Sequence, residues 1–143
     1  MVHNVKLEYK LLGIDTPQFA ILKDEPFDHP LQIENNINFA ASNPAKTLKA
    51  AFQTTYKDGE DIVMKMITEL VFELSEDSWN SLKKEDGSIV IPKDFLWHLG
   101  TLVIGAARGA LYAYTKNTNL NNFTLPLFDL TAIITKDMVV KEK

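Results

Sequence analysis

The stretch ARGALYAYTKNTNLNNFTLPLFDL, residues 107–130, decides which fold the sequence predicts. It opens in an Ala/Gly-rich helical segment that carries Arg108, the only arginine among fifteen basic residues. A polar turn runs from Asn117 to Asn122, and Pro126 keeps the apolar segment that follows extended. Such a segment can close over a hydrophobic groove that binds an extended peptide. A loop that only covers the core is the alternative interpretation.

The helix that enters this stretch is predicted over about residues 93–116, with Pro92 suited to its first turn. Its apolar sector spans roughly 220° of a helical wheel, whereas a helix on one sheet needs about 100°. The helix is therefore predicted to be covered on two sides, by a sheet and by another subunit; packing on the sheet alone is the alternative. The residues predicted at the subunit interface are Leu102, Gly105, Ala106, Gly109, Ala110 and Ala113.

The first half of the sequence predicts strands, because apolar and polar residues alternate. The predicted strands are VKLEYKL (Val5 to Leu11) continuing into TPQFAIL, then LQIENNINF, TLKAAFQTTYK and the run from Ile62 to Leu74. Pro17 suggests an edge strand or a bulge, and DGED is a hairpin signal. Strands followed by helices indicate an α+β fold, and 143 residues predict a single domain, 1–143.

Composition excludes several classes of function. A net charge of −4 without a basic stripe argues against nucleic acid as a partner. The chain has no cysteine, which excludes disulfides and thiolate chemistry. The first ten residues do not have the pattern of a signal peptide, and charged residues interrupt the longest apolar stretch. We therefore expect a cytoplasmic protein without membrane insertion.

Residues that support catalysis are sparse. The three histidines, His3, His29 and His98, share no metal-ligand spacing, so no metal site is predicted. Asp28 beside His29 could orient a general base, but such a pair is more often simply part of a polar loop. No nucleophile or phosphate-loop motif occurs. The sequence predicts a protein that is not an enzyme and uses no cofactor.

Arg108 is predicted to have a structural role. A guanidinium offers five donors in a fixed fork and is less strongly hydrated than an ammonium group. At the edge of a helix it is expected to brace the turn or a strand end against the helix. Binding of a substrate anion is the alternative.

The segment ARGALYAYTKNTNLNNFTLPLFDLTAII resembles the SecB-type protein-export chaperones. That family has Ala-Arg in its long helix, a turn, an extended Leu-Pro segment, then Phe-Asp and a short helix; Ala107-Arg108 and Phe128-Asp129 match the two ends of this pattern. YKLLGIDTPQFAIL is similar to the opening strand of the family and ITELVFEL to its fourth. The likeness covers about residues 4–134.

The resemblance implies a four-stranded antiparallel sheet with a long C-terminal helix packed on it. It implies a dimer or a homotetramer built as a dimer of dimers. It also implies an ATP-independent holdase that binds unfolded polypeptides and passes them to a translocase motor. The client-binding residues that it implies are Ile37, Phe39, Phe72, Phe123, Leu125, Leu127 and Phe128.

Some features depart from the family pattern. Lys65 stands at the strand-four position where motor-docking members have an acidic residue, which leaves Asp15 as the acidic residue for docking. The final residues, KDMVVKEK, do not match the motor-binding tail. A SecB-like chaperone of a toxin–antitoxin system therefore stays open. So do a hot-dog-type acyl-thioester hydrolase using Asp28 and His29, and an oligomerisation domain without a client.

Overall fold

The computed structural model describes residues 6–123 and 125–141. His3 and Val5, which entered the sequence predictions, lie outside this part of the chain. Four strands form one antiparallel sheet in the order β1-β4-β3-β2. Their bounds are Tyr9–Ile21 for β1, Gln32–Ser42 for β2, Thr47–Asp58 for β3 and Asp61–Leu74 for β4. This sheet, with a long helix on it, confirms the predicted fold class.

The two edges of the sheet differ. Strand β2 pairs with β3 without a break, whereas β1 shifts register against β4 between Leu11 and Gly13 and again between Asp15 and Gln18. Pro17 lies in the second shift, so both an edge strand and a bulge, as expected from this proline, are confirmed. The hairpin between β3 and β4 turns at Gly59, whose φ of 64° suits glycine.

Helix α1, Glu76–Ser81, and helix α2, Lys93–Thr115, follow the sheet in the chain. Ser75 caps α1, since its side chain accepts a hydrogen bond from the backbone N–H of Ser78. Pro92 stands at the N-cap of α2, one position before the first turn in which it was predicted. A proline suits this position because it has no N–H to leave unpaired.

Three short elements complete the chain. Strands β5, Ile89–Ile91, and β6, Met138–Val140, form a separate two-stranded sheet, and helix α3 spans Leu130–Ile133. Asp129 caps α3 by accepting from the N–H of Thr131. The sequence predicted a short extended piece near β5 but not its pairing with β6, because three-residue strands leave almost no periodic signal.

The hydrophobic core lies between α2 and one face of the sheet. Strands β3 and β4 alternate so that residues such as Phe52 and Phe72 are buried under the helix. The other face carries charged residues together with apolar ones such as Ile67 and Val71. The helix contributes the buried residues Leu96, Leu99, Val103, Ile104, Ala107 and Leu111. On the far face, ion pairs such as Lys49 with Glu69 at 3.6 Å join neighbouring strands.

One polar side chain of α2 lies on its buried face. Thr115 is buried, and its hydroxyl donates to the carbonyl of Leu111 at 2.6 Å. Burial is possible because the hydroxyl is satisfied inside the helix and also accepts from the side chain of Asn121.

Candidate client-binding groove

An open apolar groove of about 320 Å³ lies at the β2 side of the sheet, beneath the extended segment that follows the polar turn. Strands β2 and β3 supply Ile37 and Phe52, and α2 supplies Ile104. The opposite wall is formed by Phe128, Leu130 and Ile133. Asn35 and Asn36 bring amide groups to one rim, so the groove is mostly apolar with a few polar groups.

The groove wall, residues 125–133, is fastened to α2 through Arg108. The Nη2 of Arg108 donates to the carbonyl of Pro126 at 2.6 Å, and its guanidinium stands 6.0 Å from the ring centre of Phe128. Phe128 in turn meets Phe52 edge to face at 5.5 Å. Arg108 was predicted to brace the turn or a strand end; in the structure it holds the extended segment.

The polar turn, residues 117–122, is held at several points. Leu120 is completely buried. The side chain of Asn121 donates to the carbonyl of Tyr112 and to the hydroxyl of Thr115. On the outer side, Asp24 accepts from both the backbone and the side-chain N–H of Asn119, at 2.8 and 2.9 Å. The turn therefore sets where the groove wall begins.

Gly100 explains why the wall approaches α2 so closely. A Cβ at this position would lie 3.0 Å from Leu130 Cδ1 and 3.2 Å from Ile37 Cδ1, which is tighter than ordinary van der Waals contact. The sequence interpretation gave the close-approach role to Gly105 and Gly109, where a Cβ would meet nothing within 4 Å in this chain. The glycine that the sheet and wall require is thus Gly100.

Five of the predicted client-binding residues separate into three groups. Ile37 and Phe128 line the groove. Phe123 and Leu125 line a smaller cavity of about 120 Å³ beside Arg108. Leu127 points outward and is 92% exposed, so it stays a prediction for client contact.

The other two predicted client-binding residues lie on the helix-facing side of the sheet. Phe72 is 2% exposed and packs against Tyr9 under α2. We correct its assignment, because a client cannot reach a ring buried in the core. Phe39 is half-buried and packs against the core from β2. Phe39 lies at the edge of the sheet, where the residue opposite it on β3 is the small Ala50.

Several groove residues were missed by sequence reasoning: Asn35, Asn36, Phe52, Ile104, Leu130 and Ile133. A signal existed for some of them. The alternation of β2 placed Asn35 on the same face as Ile37, and the spacing of Leu130 and Ile133 fits one face of a short helix. Phe52 and Ile104 carry no signal that separates a groove floor from the ordinary core.

The residues predicted at a subunit interface lie on the outer side of α2. Leu102, Gly105, Gly109 and Ala113 are exposed, whereas Ala106 and Ala110 are half-buried. Since Gly105 and Gly109 do not face the sheet, the alternative that these glycines serve sheet packing is excluded. The face is available to a partner, and the interface stays a prediction.

Asp15, predicted as a motor-docking residue, is exposed on the charged face of the sheet, opposite Glu69 of β4. Glu69 is paired with Lys49, so Asp15 faces a carboxylate that is partly neutralised. Lys65 lies on the same face. Charges of both signs therefore alternate here, and the docking role stays a prediction.

Asp28 and His29 lie outside the residues that line the groove. The two ring nitrogens of His29 contact Asp28 and Asp58, each at 3.0 Å. These carboxylates raise the pKa of His29 above its usual 6.5. Within residues 6–123 and 125–141, no three His, Cys, Asp or Glu side chains are grouped as a metal ion would require. In the same part of the chain, no helix has the length and apolar character needed to cross a membrane.

No family model and no curated protein sequence matches the chain. Solved structures are similar to the chain, among them the following two. A protein of unknown function from Streptococcus agalactiae covers 87% of this chain and 99% of its own at 12% identity, but with a TM-score of 0.37. The second is the Mycobacterium tuberculosis Rv1957 SecB-like chaperone, in complex with a ChAD peptide from the Rv1956 HigA1 antitoxin. It covers 85% of this chain and 91% of its own, at 11% identity and a TM-score of 0.52. This likeness agrees with the resemblance noted in the sequence, and it shows that the chain has a SecB-like fold.

Proposed function

We propose that this protein is an ATP-independent holdase chaperone that binds extended segments of unfolded polypeptide. The observation that carries the proposal is the groove itself. An open apolar channel runs between an edge strand and a Leu-Pro segment, with large side chains such as Ile133 and Leu127 exposed beside it. Exposed apolar surface next to a groove marks an interaction site in a soluble protein.

The chemistry of the groove suits a polypeptide better than a small metabolite. Among the residues that the structure describes, its lining is apolar apart from Asn35 and Asn36 and includes no lysine or arginine. Such a surface selects aromatic and aliphatic side chains without selecting a particular charged group. The similar fold of Rv1957, determined with a bound peptide, supports a polypeptide as the ligand class.

A second candidate is a SecB-like chaperone that serves a toxin–antitoxin system. The observation that favours it is the peptide in the Rv1957 complex, which comes from an antitoxin. Delivery to a translocase motor, implied by the family resemblance, has no comparable support. Lys65 and the mixed charges around Asp15 give the exposed sheet face no acidic patch. The toxin–antitoxin role and delivery to a translocase motor are therefore less well supported than a general holdase activity.

The hydrolase alternative loses support from the surroundings of His29. Both of its ring nitrogens contact carboxylates, so neither is free to act as a base toward a substrate. The residue also lies outside the groove lining. In an acyl-thioester hydrolase, the catalytic base must lie next to the apolar site that binds the acyl chain.

Leu127→Asp and Ile133→Asp are expected to weaken holdase activity severely. Both side chains are more than half exposed, so a carboxylate there places a charge where apolar client segments bind without burying it in the core. The measurement is suppression of aggregation of a chemically unfolded client by sub-stoichiometric protein, with bound client quantified by fluorescence anisotropy.

Val139→Asp is the matched control for both substitutions. Val139 is an exposed apolar residue in β6, and it belongs neither to the groove lining nor to the groove wall, residues 125–133. It should retain wild-type protection. Wild-type protein that leaves aggregation unchanged would refute the holdase proposal, and equal loss in all three variants would assign binding to general surface hydrophobicity.

We further propose that the outer face of α2 joins subunits. Gly105→Leu is expected to reduce the oligomer, measured by light scattering, to a monomer, because bulk at this position blocks close approach of two helices. The fold should be unharmed, since a Cβ at Gly105 meets nothing within 4 Å. Replacing glycine also favours the helix by roughly 1 kcal/mol.

Glu85→Leu is the control for this experiment, because it adds the same side chain at an exposed turn away from α2. It should keep the wild-type mass. A wild-type monomer, or a Gly105→Leu protein with unchanged mass and raised stability, would show that this face of the helix is simply solvated.

A further inference from the structure

The loop between β1 and β2, residues 22–31, crosses the end of the sheet over the β3–β4 hairpin; we call it the crossing loop. The backbone N–H of Leu22 donates to the carbonyl of Val63 at 2.8 Å. Two side chains of the crossing loop also contact the hairpin, one on each of its two strands. Lys23 pairs with Asp61, and His29 contacts Asp58, each at 3.0 Å.

The geometry around His29 requires a particular protonation state. Its Nδ1 lies 3.0 Å from an Asp28 oxygen, and its Nε2 lies 3.0 Å from an Asp58 oxygen. An ionised carboxylate only accepts hydrogen bonds, so both ring nitrogens must be donors and the ring must be an imidazolium. A neutral ring donates from one nitrogen and turns a lone pair toward the other carboxylate. One of the two contacts is then lost.

The charges near this contact favour the cation. Asp28 belongs to the same loop and Asp58 to β3, and their hydrogen bonds raise the pKa of His29 above 6.5. Desolvation of the ring lowers the pKa and opposes this effect. The neighbouring Lys23 is paired with Asp61 across the hairpin, and Glu25 lies on the same loop. The imidazole is about half exposed, so it exchanges protons with solvent readily.

The crossing loop also holds the turn that leads into the groove wall. The Asp24 carboxylate accepts from the backbone and side-chain N–H of Asn119. The Phe27 ring stands edge-on to Phe123, with 6.5 Å between ring centres. A looser crossing loop would therefore weaken the contacts that hold the outer side of the turn at residues 117–122, where the wall begins.

We propose that protonation of His29 fastens the crossing loop to the hairpin and thereby holds the client-binding groove in its observed shape. We call the contact between protonated His29 and Asp58 the latch. The stability that the latch contributes is fully present below the ordinary pKa of 6.5, and it is lost as the pH rises through the higher pKa of the folded protein. The regulatory part of this inference rests on the proposed function of the groove. The inference that the latch forms does not rest on that proposed function.

Hydrogen exchange at about pH 6 and about pH 8, corrected for intrinsic rates, tests the latch across the range where histidine titrates. The amides of residues 22–31 and 117–122 are expected to lose protection several-fold at the higher pH, while β3 keeps its protection. In His29→Gln these amides should be weakly protected at both values. Lys23→Gln removes the neighbouring ion pair and should retain the pH dependence, because the raised pKa of Lys23 keeps this side chain protonated at both values.

Affinity for an unfolded client peptide, measured at the same two values, separates the two proposals. Weaker binding at the higher pH in the wild type, and pH-independent binding in His29→Gln, would support regulation of the groove. Protection that does not change with pH in the wild type, or that changes equally in His29→Gln, would overturn the latch. A pH-dependent latch without peptide binding at either pH would instead refute the proposed function of the groove.

Discussion

Leu120→Ala is expected to lower the free energy of unfolding by about 2–5 kcal/mol, the range for a leucine truncated inside a core. Leu120 has no exposed surface, although it lies in a turn that is otherwise polar. It is the apolar anchor between α2 and the groove wall. Such a loss is a large fraction of the roughly 5–15 kcal/mol that stabilises a domain, and chemical denaturation measures it directly.

Leu127→Ala provides the matched comparison, because it removes the same atoms from a side chain that is 92% exposed. Its effect should stay within about 0.5 kcal/mol. If Leu120→Ala is no more destabilising than Leu127→Ala, the turn is not anchored to the core. In that case the groove wall would depend on Arg108 and Asp24 alone.

Alkaline solution is expected to destabilise the protein through Tyr56. Burial raises the pKa of this phenol from 10.0 to about 12. Between these values the unfolded chain releases the proton while the folded chain retains it, so the free energy of unfolding falls as the pH rises. At 1.36 kcal/mol for each pKa unit, the loss approaches about 3 kcal/mol near pH 12.

Tyr56→Phe should remove this part of the pH dependence. Among the described residues the hydroxyl has no hydrogen-bond partner, so its loss at neutral pH should cost little. Tyr112→Phe, at an exposed tyrosine, should behave as the wild type throughout. Denaturation midpoints at about pH 9 and about pH 12 give the comparison. A Tyr56→Phe protein that loses stability as steeply as the wild type would assign the effect to other groups.

The sequence predicted the fold well because its signals were local. The alternation in β2, β3 and β4 and the hairpin at Gly59 are short-range patterns, and the structure confirms these strands and this hairpin. In β1 the alternation was less informative, because two register shifts change which side chains face the helix. Leu11 is exposed there although it belongs to the predicted apolar face.

The groove could be predicted only in part, because its shape depends on contacts between distant segments. Pro126 and Phe128 predicted an extended apolar segment. No local sequence pattern, however, indicated that Arg108 would reach the carbonyl of Pro126. Likewise, a helix wheel does not show which glycine faces another element. Gly100 meets Ile37 and Leu130, neighbours that periodicity alone does not reveal.

The order of the groove's parts along the chain has a consequence for synthesis. Ile37 and Phe52 of the floor belong to the early strands, whereas Phe128 and Ile133 of the wall come after the long helix. A growing chain therefore presents a bare apolar sheet before the segment that turns it into a groove has left the ribosome. During that interval the nascent chain exposes apolar surface of the kind that chaperones bind, and the groove forms only when the last of these elements dock.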